Sequence, residues 1–141
     1  MQISFLFLEG ENIYDIVPML QILGGNKISD EVLKTRLHEM VAQNYTCVGI
    51  YSEQELVGMC GLWFQTRHYA GRSVELDHVF VKEGFRSKGI GKKLIAFVQE
   101  YGEKHGCEAI ELNTYVENFP SHKFYYNLGF VARGFHFIKK F

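Results

Sequence analysis

The segment RSKGIGK, residues 86–92, brings together the residue types that bind phosphate groups. It follows an apolar, strand-like segment and opens a segment with helical periodicity, so its backbone N–H groups lie at the partly positive start of a helix. Gly89 and Gly91 have no Cβ, which lets a ligand oxygen approach the backbone closely. Arg86, Lys88 and Lys92 add positive charge. The segment therefore predicts a local phosphate or pyrophosphate site.

The spacing of these residues differs from the two common nucleotide-binding motifs. A P-loop needs GxxxxGK[ST], which does not occur in the sequence, and GIGKKL supplies only the first half of a GxGxxG dinucleotide motif. A pattern of the form RxxGxG remains. Taken alone, it fits a glycine-rich helix start with solvated lysines as well as it fits a ligand site.

The composition indicates one folded domain over residues 1–141, without a general affinity for polyanions. The chain is 47% hydrophobic, 15% aromatic and 22% charged, as in globular proteins. Its formal net charge of −1 attracts neither nucleic acid nor an anionic membrane. Because the apolar start ISFLFL is too short to cross a membrane and lacks the basic beginning of a signal peptide, we expect a cytoplasmic protein. Cys47, Cys60 and Cys107 form no CxxC pair, so we expect buried thiols and no metal site.

Hydrophobic periodicity predicts a mixed α/β fold. We expect a mostly antiparallel central sheet of six to seven strands with one parallel, splayed pair, flanked by about four helices. Because Pro18 is awkward inside a helix, the first helix should either kink there or start late, near residue 17. Ser29 and Asp30 suit the cap of the second helix. The strand ending at Val79–Val81, the helix from Ile90 and the strand AIELNTY imply a right-handed crossover between parallel neighbours. The closing segment FVARGFHFIKK predicts a final hairpin.

A second motif, NFPSHKFYYNLGF, occupies residues 118–130. Together with VFVKEGFRSKGIGKKL at residues 79–94, it resembles the GNAT superfamily of acyl-CoA-dependent N-acetyltransferases. In that family an apolar V-x-V strand end leads into (R/Q)xxGx(G/A), and a later N…FYxxLGF closes the fold. Ser121 departs from the family pattern, which often has Ala there. The matching residues are Val79, Val81, Arg86, Gly89, Gly91, Asn118, Phe124, Tyr125, Leu128, Gly129 and Phe130.

The resemblance implies that acetyl-CoA is the cosubstrate. Its pyrophosphate would lie on the N–H groups of residues 86–91, and its pantetheine arm would pair with the strand Val79–Val81 where that strand splays from its neighbour. A backbone N–H near Val81 would polarise the thioester carbonyl. Asn118 would either bind the arm or cap the following helix. The implied acetyl-CoA-binding residues are Val79, Phe80, Val81, Arg86, Ser87, Lys88, Gly89, Ile90, Gly91, Lys92, Asn118 and Tyr125.

Tyr125 is the residue that the resemblance implies as general acid. A phenol near the leaving thiolate can donate the proton that the sulfur needs. The alternative is a core aromatic beside Phe124, the usual place of such a tyrosine. That alternative suits the neighbouring Tyr126 better.

The strand that would carry the acetyl group contains three candidate bases. Glu75, Asp77 and His78 can each take the proton of an acceptor amine, directly or through water, and each also fits a structural hydrogen bond. Strand alternation puts Glu75 and Asp77 on the face of Val79 and Val81, with His78 on the other face, unless a bulge changes the parity. We therefore take the two carboxylates as catalytic candidates. A covalent route through a cysteine is disfavoured, because no histidine adjoins Cys60 in the sequence.

The resemblance places an acceptor pocket at the first two helices, the loop around LGGNKIS, the TRHYAG turn and the strand with Trp63 and Phe64. Glu75 is added to this pocket. We expect direct attack by a primary amine, more readily of a small molecule than of a protein, in a ternary complex. A non-catalytic acyl-CoA-binding or sensing domain and a protein or peptide N-acetyltransferase are the alternatives. The donor can be acetyl or a longer acyl group. The aromatic end GFHFIKKF offers an edge for a homodimer.

Overall fold

The computed structural model describes residues 2–141. By their internal contacts these form two compact units, which divide between Glu111 and Leu112. Compact units are not independent domains by that fact alone, so one domain over residues 1–141 stays a prediction.

The first unit is built on a sheet with helices on both faces. Three neighbouring pairs are antiparallel, β1 with β2, β2 with β3 and β3 with β4, and β5 lies beside β4 in a mixed sheet. The strands are β1 (Ile3–Phe7), β2 (Tyr45–Ser52), β3 (Glu55–Arg67), β4 (Gly71–Val81) and β5 (Ala109–Leu112). The helices of the chain are α1 (Val17–Gly24), α2 (Asp30–Val41), α3 (Ile90–Lys104) and α4 (Phe119–Asn127).

The helices begin where the sequence provides a suitable cap or proline. Residues 10–16 form a 3-10 helix, and α1 follows with Pro18 in its first turn, where the missing N–H has no helical partner to lose. The Ser29 hydroxyl accepts a hydrogen bond of 3.2 Å from the Val32 N–H and caps α2. Of the kink and the late start that were left open, the structure has the late start at Val17, and of the two cap candidates Ser29 is the cap.

The two faces of the sheet bury different sets of side chains. On one face, residues of the first helices pack on the strands and form a core of Leu8, Ile13, Ile16, Val17, Met19, Leu37, Tyr45, Cys47, Met59 and Phe80. On the other face, α3 packs on β1 and β4: the ring centroids of Phe7 and Tyr101 are 4.7 Å apart, and Val74 lies against Gly102. The site described below is built on the first of these faces and on the turn into α3.

The number of strands was predicted wrongly. Among residues 2–141 there are five strands rather than six to seven, because residues 130–141 form no hairpin. Phe135, Phe137 and Ile138 in this segment are exposed. An alternating sequence forms a stable strand only with a partner edge, and a lone hairpin is marginal in water. The count of four α-helices is confirmed.

Three further observations concern residues 2–141 as a whole. No helix in this range has the length and apolar character needed to cross a membrane. No group of three or more His, Cys, Asp or Glu side chains in the same range is placed to hold a metal ion. Cys47, Cys60 and Cys107 are free thiols, the first two buried.

Candidate active site

The turn between β4 and α3 adopts the backbone shape that the glycine motif predicts. After a short 3-10 turn at residues 83–85, Ser87 (φ 60°) and Gly89 (φ 78°) take left-handed conformations, and α3 begins at Ile90. Gly89 is the helix cap residue, and a Cβ placed there would meet no atom within 4 Å. Glycine is therefore favoured by the positive φ, and the space above it is open to a ligand.

The amides of this turn differ in whether they already have partners. The Arg86 N–H donates to the Glu83 carbonyl at 3.2 Å, so the predicted set of free N–H groups starts one residue later than expected. For the amides of residues 87–89 the described chain offers no hydrogen-bond acceptor. These amides lie at the partly positive start of α3, in an exposed stretch of chain that also contains Lys88 and Lys92. The arrangement fits a pyrophosphate.

The Arg86 side chain points back to the end of β4. Its Nε donates to the Val81 carbonyl at 2.7 Å, and the guanidinium lies 5.6 Å from the centre of the Phe80 ring. This contact fixes the turn against the strand. It also occupies one backbone acceptor of the segment 79–81 that was predicted to pair with pantetheine.

A bulge in β4 changes the predicted parity of its side chains. The pairing register with β3 shifts between Met59 and Gly61, and His78 opposite this shift has φ 35°, which is unusual for a residue with a Cβ. His78 therefore lies on the same face as Asp77, where it contacts Tyr45. Phe80 belongs to the core on this face, so alternation puts its neighbours Val79 and Val81 on the opposite face. The prediction that Asp77 shares a face with Val79 and Val81, and His78 does not, is wrong.

Four side chains from three strands are linked into one network at the bulge by two hydrogen bonds and one close contact between Asp77 and His78. The Trp63 Nε1–H donates to Asp77 Oδ2 at 3.0 Å, and Asp77 Oδ1 lies 3.5 Å from His78 Nδ1. His78 Nε2 is 2.6 Å from the Tyr45 hydroxyl. Since a carboxylate only accepts, we assign the hydrogen of a neutral His78 to Nδ1, and the Tyr45 O–H then donates to Nε2. Every polar atom of the imidazole has a partner.

The network keeps Asp77 ionised and Tyr45 neutral. The contact with His78, supported by the Trp63 N–H, lowers the pKa of Asp77 to about 2. Burial raises the pKa of Tyr45, whose side chain belongs to the core. Asp77 is the accessible member of the network, since its side chain is 48% exposed against 11% for His78.

The other predicted acceptor residues are divided between the two faces of the sheet. Trp63 packs on Tyr45, with ring centroids 5.0 Å apart, on the face of the network. Phe64 lies on the opposite face, 6.0 Å from the ring of Tyr101 in α3. Glu75 is paired to Trp63 in register and accepts from Arg67 at 3.3 Å. Trp63 and Phe64 therefore do not line one pocket.

Burial disfavours a cysteine nucleophile. The Cys60 side chain is fully buried, and burial raises the pKa of its thiol. Burial also raises the pKa of the Cys47 thiol, to about 11. Neither sulfur is poised as a thiolate.

The second unit contains the other two predicted site residues. The Asn118 side chain accepts from the Ser121 N–H at 3.3 Å and caps α4, so of the two roles left open for Asn118 the structure displays capping. The Tyr125 ring is half-buried and lies 5.4 Å from the ring of Phe130. Pro120 lies in the first turn of α4.

Sequence reasoning missed Tyr45 and Gly61. A Cβ on Gly61 would lie 2.3 Å from His78 Nε2 and 2.8 Å from the Tyr45 ring, so this glycine makes room for the imidazole. A glycine inside a strand often indicates a bulge or the close approach of a neighbouring group, and the segment GMCGL contains such a glycine at Gly61. Tyr45 gave no comparable signal, because nothing local distinguishes it from other strand aromatics.

Comparison with known proteins places this geometry in context. The chain is 36% identical over 95 residues to a spermine/spermidine N(1)-acetyltransferase of Bacillus subtilis (strain 168), an alignment that covers 64% of this chain and 62% of that protein. It is 33% identical over 86 residues to an aminoalkylphosphonate N-acetyltransferase of Salmonella typhimurium, covering 60% and 56% respectively. The chain thus spans about three fifths of the length of the curated relatives that it matches.

The fold is likewise that of known acetyltransferases. The structure of the aminoglycoside enzyme AAC(6')-Iy in complex with a CoA bisubstrate analogue superposes with a TM-score of 0.82 and 21% identity, over 99% of each chain. The sequence model of the acetyltransferase (GNAT) family matches residues 15–130, which include both motifs. Because this match spans most of the chain, the protein belongs to the acetyltransferase (GNAT) family.

Proposed function

We propose that the protein transfers the acetyl group of acetyl-CoA to a primary amine of a small molecule. The observation that carries this proposal is the open turn before α3. There the amides of residues 87–89 have no acceptor among residues 2–141, and a Cβ at Gly89 would meet no atom within 4 Å. Membership of the acetyltransferase (GNAT) family supports acetyl-CoA as the phosphate-bearing molecule.

In this proposal the turn and the end of β4 bind the donor. Ser87, Lys88, Gly89, Ile90, Gly91 and Lys92 contact the pyrophosphate, through backbone N–H groups and the two lysine side chains. The backbone of Val79–Val81 pairs with the pantetheine arm, for which β4 splays from β5. Arg86 leaves the Val81 carbonyl when the arm binds, since both would use the same acceptor.

The reaction needs two proton movements, which the chain must direct. A C–N bond forms between the amine and the thioester carbon, the C–S bond breaks, the amine loses one proton and the sulfur gains one. We assign the second proton to the Tyr125 hydroxyl, which acts as general acid. Glu75 and Asp77 remain the carboxylates nearest to the acceptor in this proposal, and their roles are separated below.

The relatives support a small amine as acceptor. The curated relatives named above act, by their names, on spermine or spermidine and on aminoalkylphosphonates. These molecules share a primary amine and differ in the charge of the remainder, so the acceptor-side residues must decide between them.

Thermal unfolding in the presence of acetyl-CoA, CoA and ATP tests the donor. Ligand that binds only the folded state raises the melting temperature, so we expect a shift of several degrees with both CoA species and none with ATP. An unchanged melting temperature at saturating CoA contradicts the proposal. An amine panel followed by thiol release then separates an enzyme from a non-catalytic acyl-CoA sensor.

The role of Tyr125 is tested by Tyr125→Phe, which removes only the hydroxyl. We expect kcat to fall about 100-fold while the CoA-induced melting shift is retained. Tyr126→Phe is the matched control and should leave kcat unchanged. Equal activity of the two variants would remove Tyr125 as general acid.

We also propose that the chain forms a homodimer through its C-terminal segment. Phe135 (78% exposed), Phe137 (89%) and Ile138 (73%) present more contiguous apolar surface than a solvent-facing segment normally does. Light scattering measures the mass in solution, and Phe137→Asp should shift a dimer to a monomer. A wild-type protein that is monomeric at micromolar concentration would contradict the proposal.

A further inference from the structure

The bulged end of β4 carries three titratable side chains, and their contacts distinguish what each can do to an acceptor amine. A neutral His78 has one lone pair on its ring nitrogens, at Nε2, and this atom accepts from the Tyr45 hydroxyl at 2.6 Å. Tyr45 is 5% exposed, so the Nε2 side of the imidazole faces the core. His78 therefore cannot take a proton directly from a ligand on the solvent side.

The two carboxylates also differ. Glu75 Oε1 accepts from the Gln65 amide at 2.9 Å and lies 3.3 Å from the Arg67 guanidinium, so its charge is already paired. Among the described residues, His78 is the one titratable cation in contact with Asp77, and half of the Asp77 side chain is open to solvent. Its low pKa makes it a weak proton acceptor and a permanent negative charge at neutral pH.

We propose that His78 and Tyr45 are positioning residues, which hold the Asp77 carboxylate in place. Asp77 then binds an ammonium group of the acceptor and does not act as the general base. The inference rests on the proposed function and adds the class of acceptor, an amine whose remainder is cationic. Tyr45 orients His78, His78 and Trp63 fix the two carboxylate oxygens, and the remaining lone pairs of Asp77 face solvent. A carboxylate held in one orientation binds an ammonium with less loss of side-chain entropy.

The backbone around His78 is built to keep this arrangement. His78 holds φ 35° in the middle of a strand, a conformation that costs free energy and persists only where surrounding contacts enforce it. The absence of a side chain at Gly61 leaves the space that the imidazole fills. The strained backbone at His78 and the missing side chain at Gly61 therefore both help to hold Asp77 in one orientation.

The test uses spermidine as the cationic probe and aminomethylphosphonate as the anionic one. For Asp77→Asn, we expect the KM for spermidine to rise at least about tenfold while kcat changes less than about threefold. The acidic limb of the pH profile of kcat/KM should be retained, because the group that titrates there is not Asp77. Tyr45→Phe should raise the same KM by a smaller factor, and Glu75→Gln, the matched carboxylate control, should have less effect than Asp77→Asn.

Two outcomes overturn the inference. If Asp77→Asn lowers kcat with an unchanged KM and removes the acidic limb, Asp77 is the base. If aminomethylphosphonate is preferred by the wild-type protein, the acceptor is not of the cationic class. A CoA-induced melting shift in each variant demonstrates that it folds.

Calorimetric titration of spermidine into the protein with bound CoA needs no turnover. Binding that Asp77→Asn weakens supports the inference even if no acetyl transfer is found. Absent binding to the wild-type protein overturns it, while an intact CoA shift leaves the donor site of the proposed function standing.

Discussion

The turn before α3 and the bulge of β4 lie a few residues apart on one chain, yet they present different parts of the residue to a ligand. The turn offers the backbone N–H groups of residues 87–89, which have no acceptor in the described part of the chain and adjoin the left-handed residues Ser87 and Gly89. The bulge offers the side chain of Asp77, held by residues from β2, β3 and β4. A backbone site depends on local conformation, whereas a side-chain site depends on strand register.

This difference predicts how each region responds to substitution. The turn should tolerate changes of its side chains better than changes of its glycine, because the backbone makes the proposed contacts. The bulge should respond to any change that moves His78, wherever in the chain that change is made. Three experiments test this contrast.

The largest effect is expected for Gly89→Glu. The substitution puts bulk and a negative charge where the pyrophosphate would lie, and we expect CoA affinity to fall at least about 100-fold. Since a Cβ there would meet no atom within 4 Å, the fold should survive with a cost of about 1 kcal/mol for the positive φ. Calorimetry gives the affinity and urea unfolding the stability.

Gly89→Asn is the matched control for that change, because Asn tolerates the left-handed conformation and carries no charge. It should retain CoA binding within about tenfold. If Gly89→Glu binds CoA as well as Gly89→Asn does, the phosphate does not lie at this turn.

Gly61→Ala should lower the free energy of unfolding by about 2 kcal/mol, because its methyl group would lie 2.3 Å from His78 Nε2 in a packed core. Gly84→Ala, in the turn, is the comparison: its Cβ meets nothing, and the change should stay within about 0.5 kcal/mol. Urea unfolding midpoints of both variants measure the difference. Similar midpoints would mean that the bulge does not depend on the space at Gly61.

The smallest effect concerns Asp77 and pH. Because its pKa is lowered from an ordinary value near 3.9 to about 2, ionised Asp77 stabilises the fold above pH 4, and this contribution disappears as the pH falls to 2. With a side chain 48% exposed, solvent reduces the contribution to about 1 kcal/mol. Asp77→Asn should therefore be less stable than the wild type at pH 7 and equally stable at pH 2. A stability difference that is the same at both pH values would contradict this assignment.

Much of the architecture could be predicted from local patterns. The late start of α1 at Val17, the Ser29 cap and the start of α3 at Ile90 all follow from residues close in sequence. The final hairpin could not, since alternation in residues 130–141 does not supply a partner strand. A strand is stable only when it pairs with another strand, and its own sequence does not show whether such a partner is available.

The site divides in the same way. The glycines and lysines on either side of Ile90 predicted a phosphate site made of backbone N–H groups. They could do so because a positive φ and a helix start are properties of a few consecutive residues. The bulge that turns His78 toward Tyr45, and the separation of Trp63 from Phe64, follow from the pairing of β3 with β4 on one side and with β2 on the other. No short segment of the sequence shows that pairing, since it depends on residues that meet only when the sheet forms.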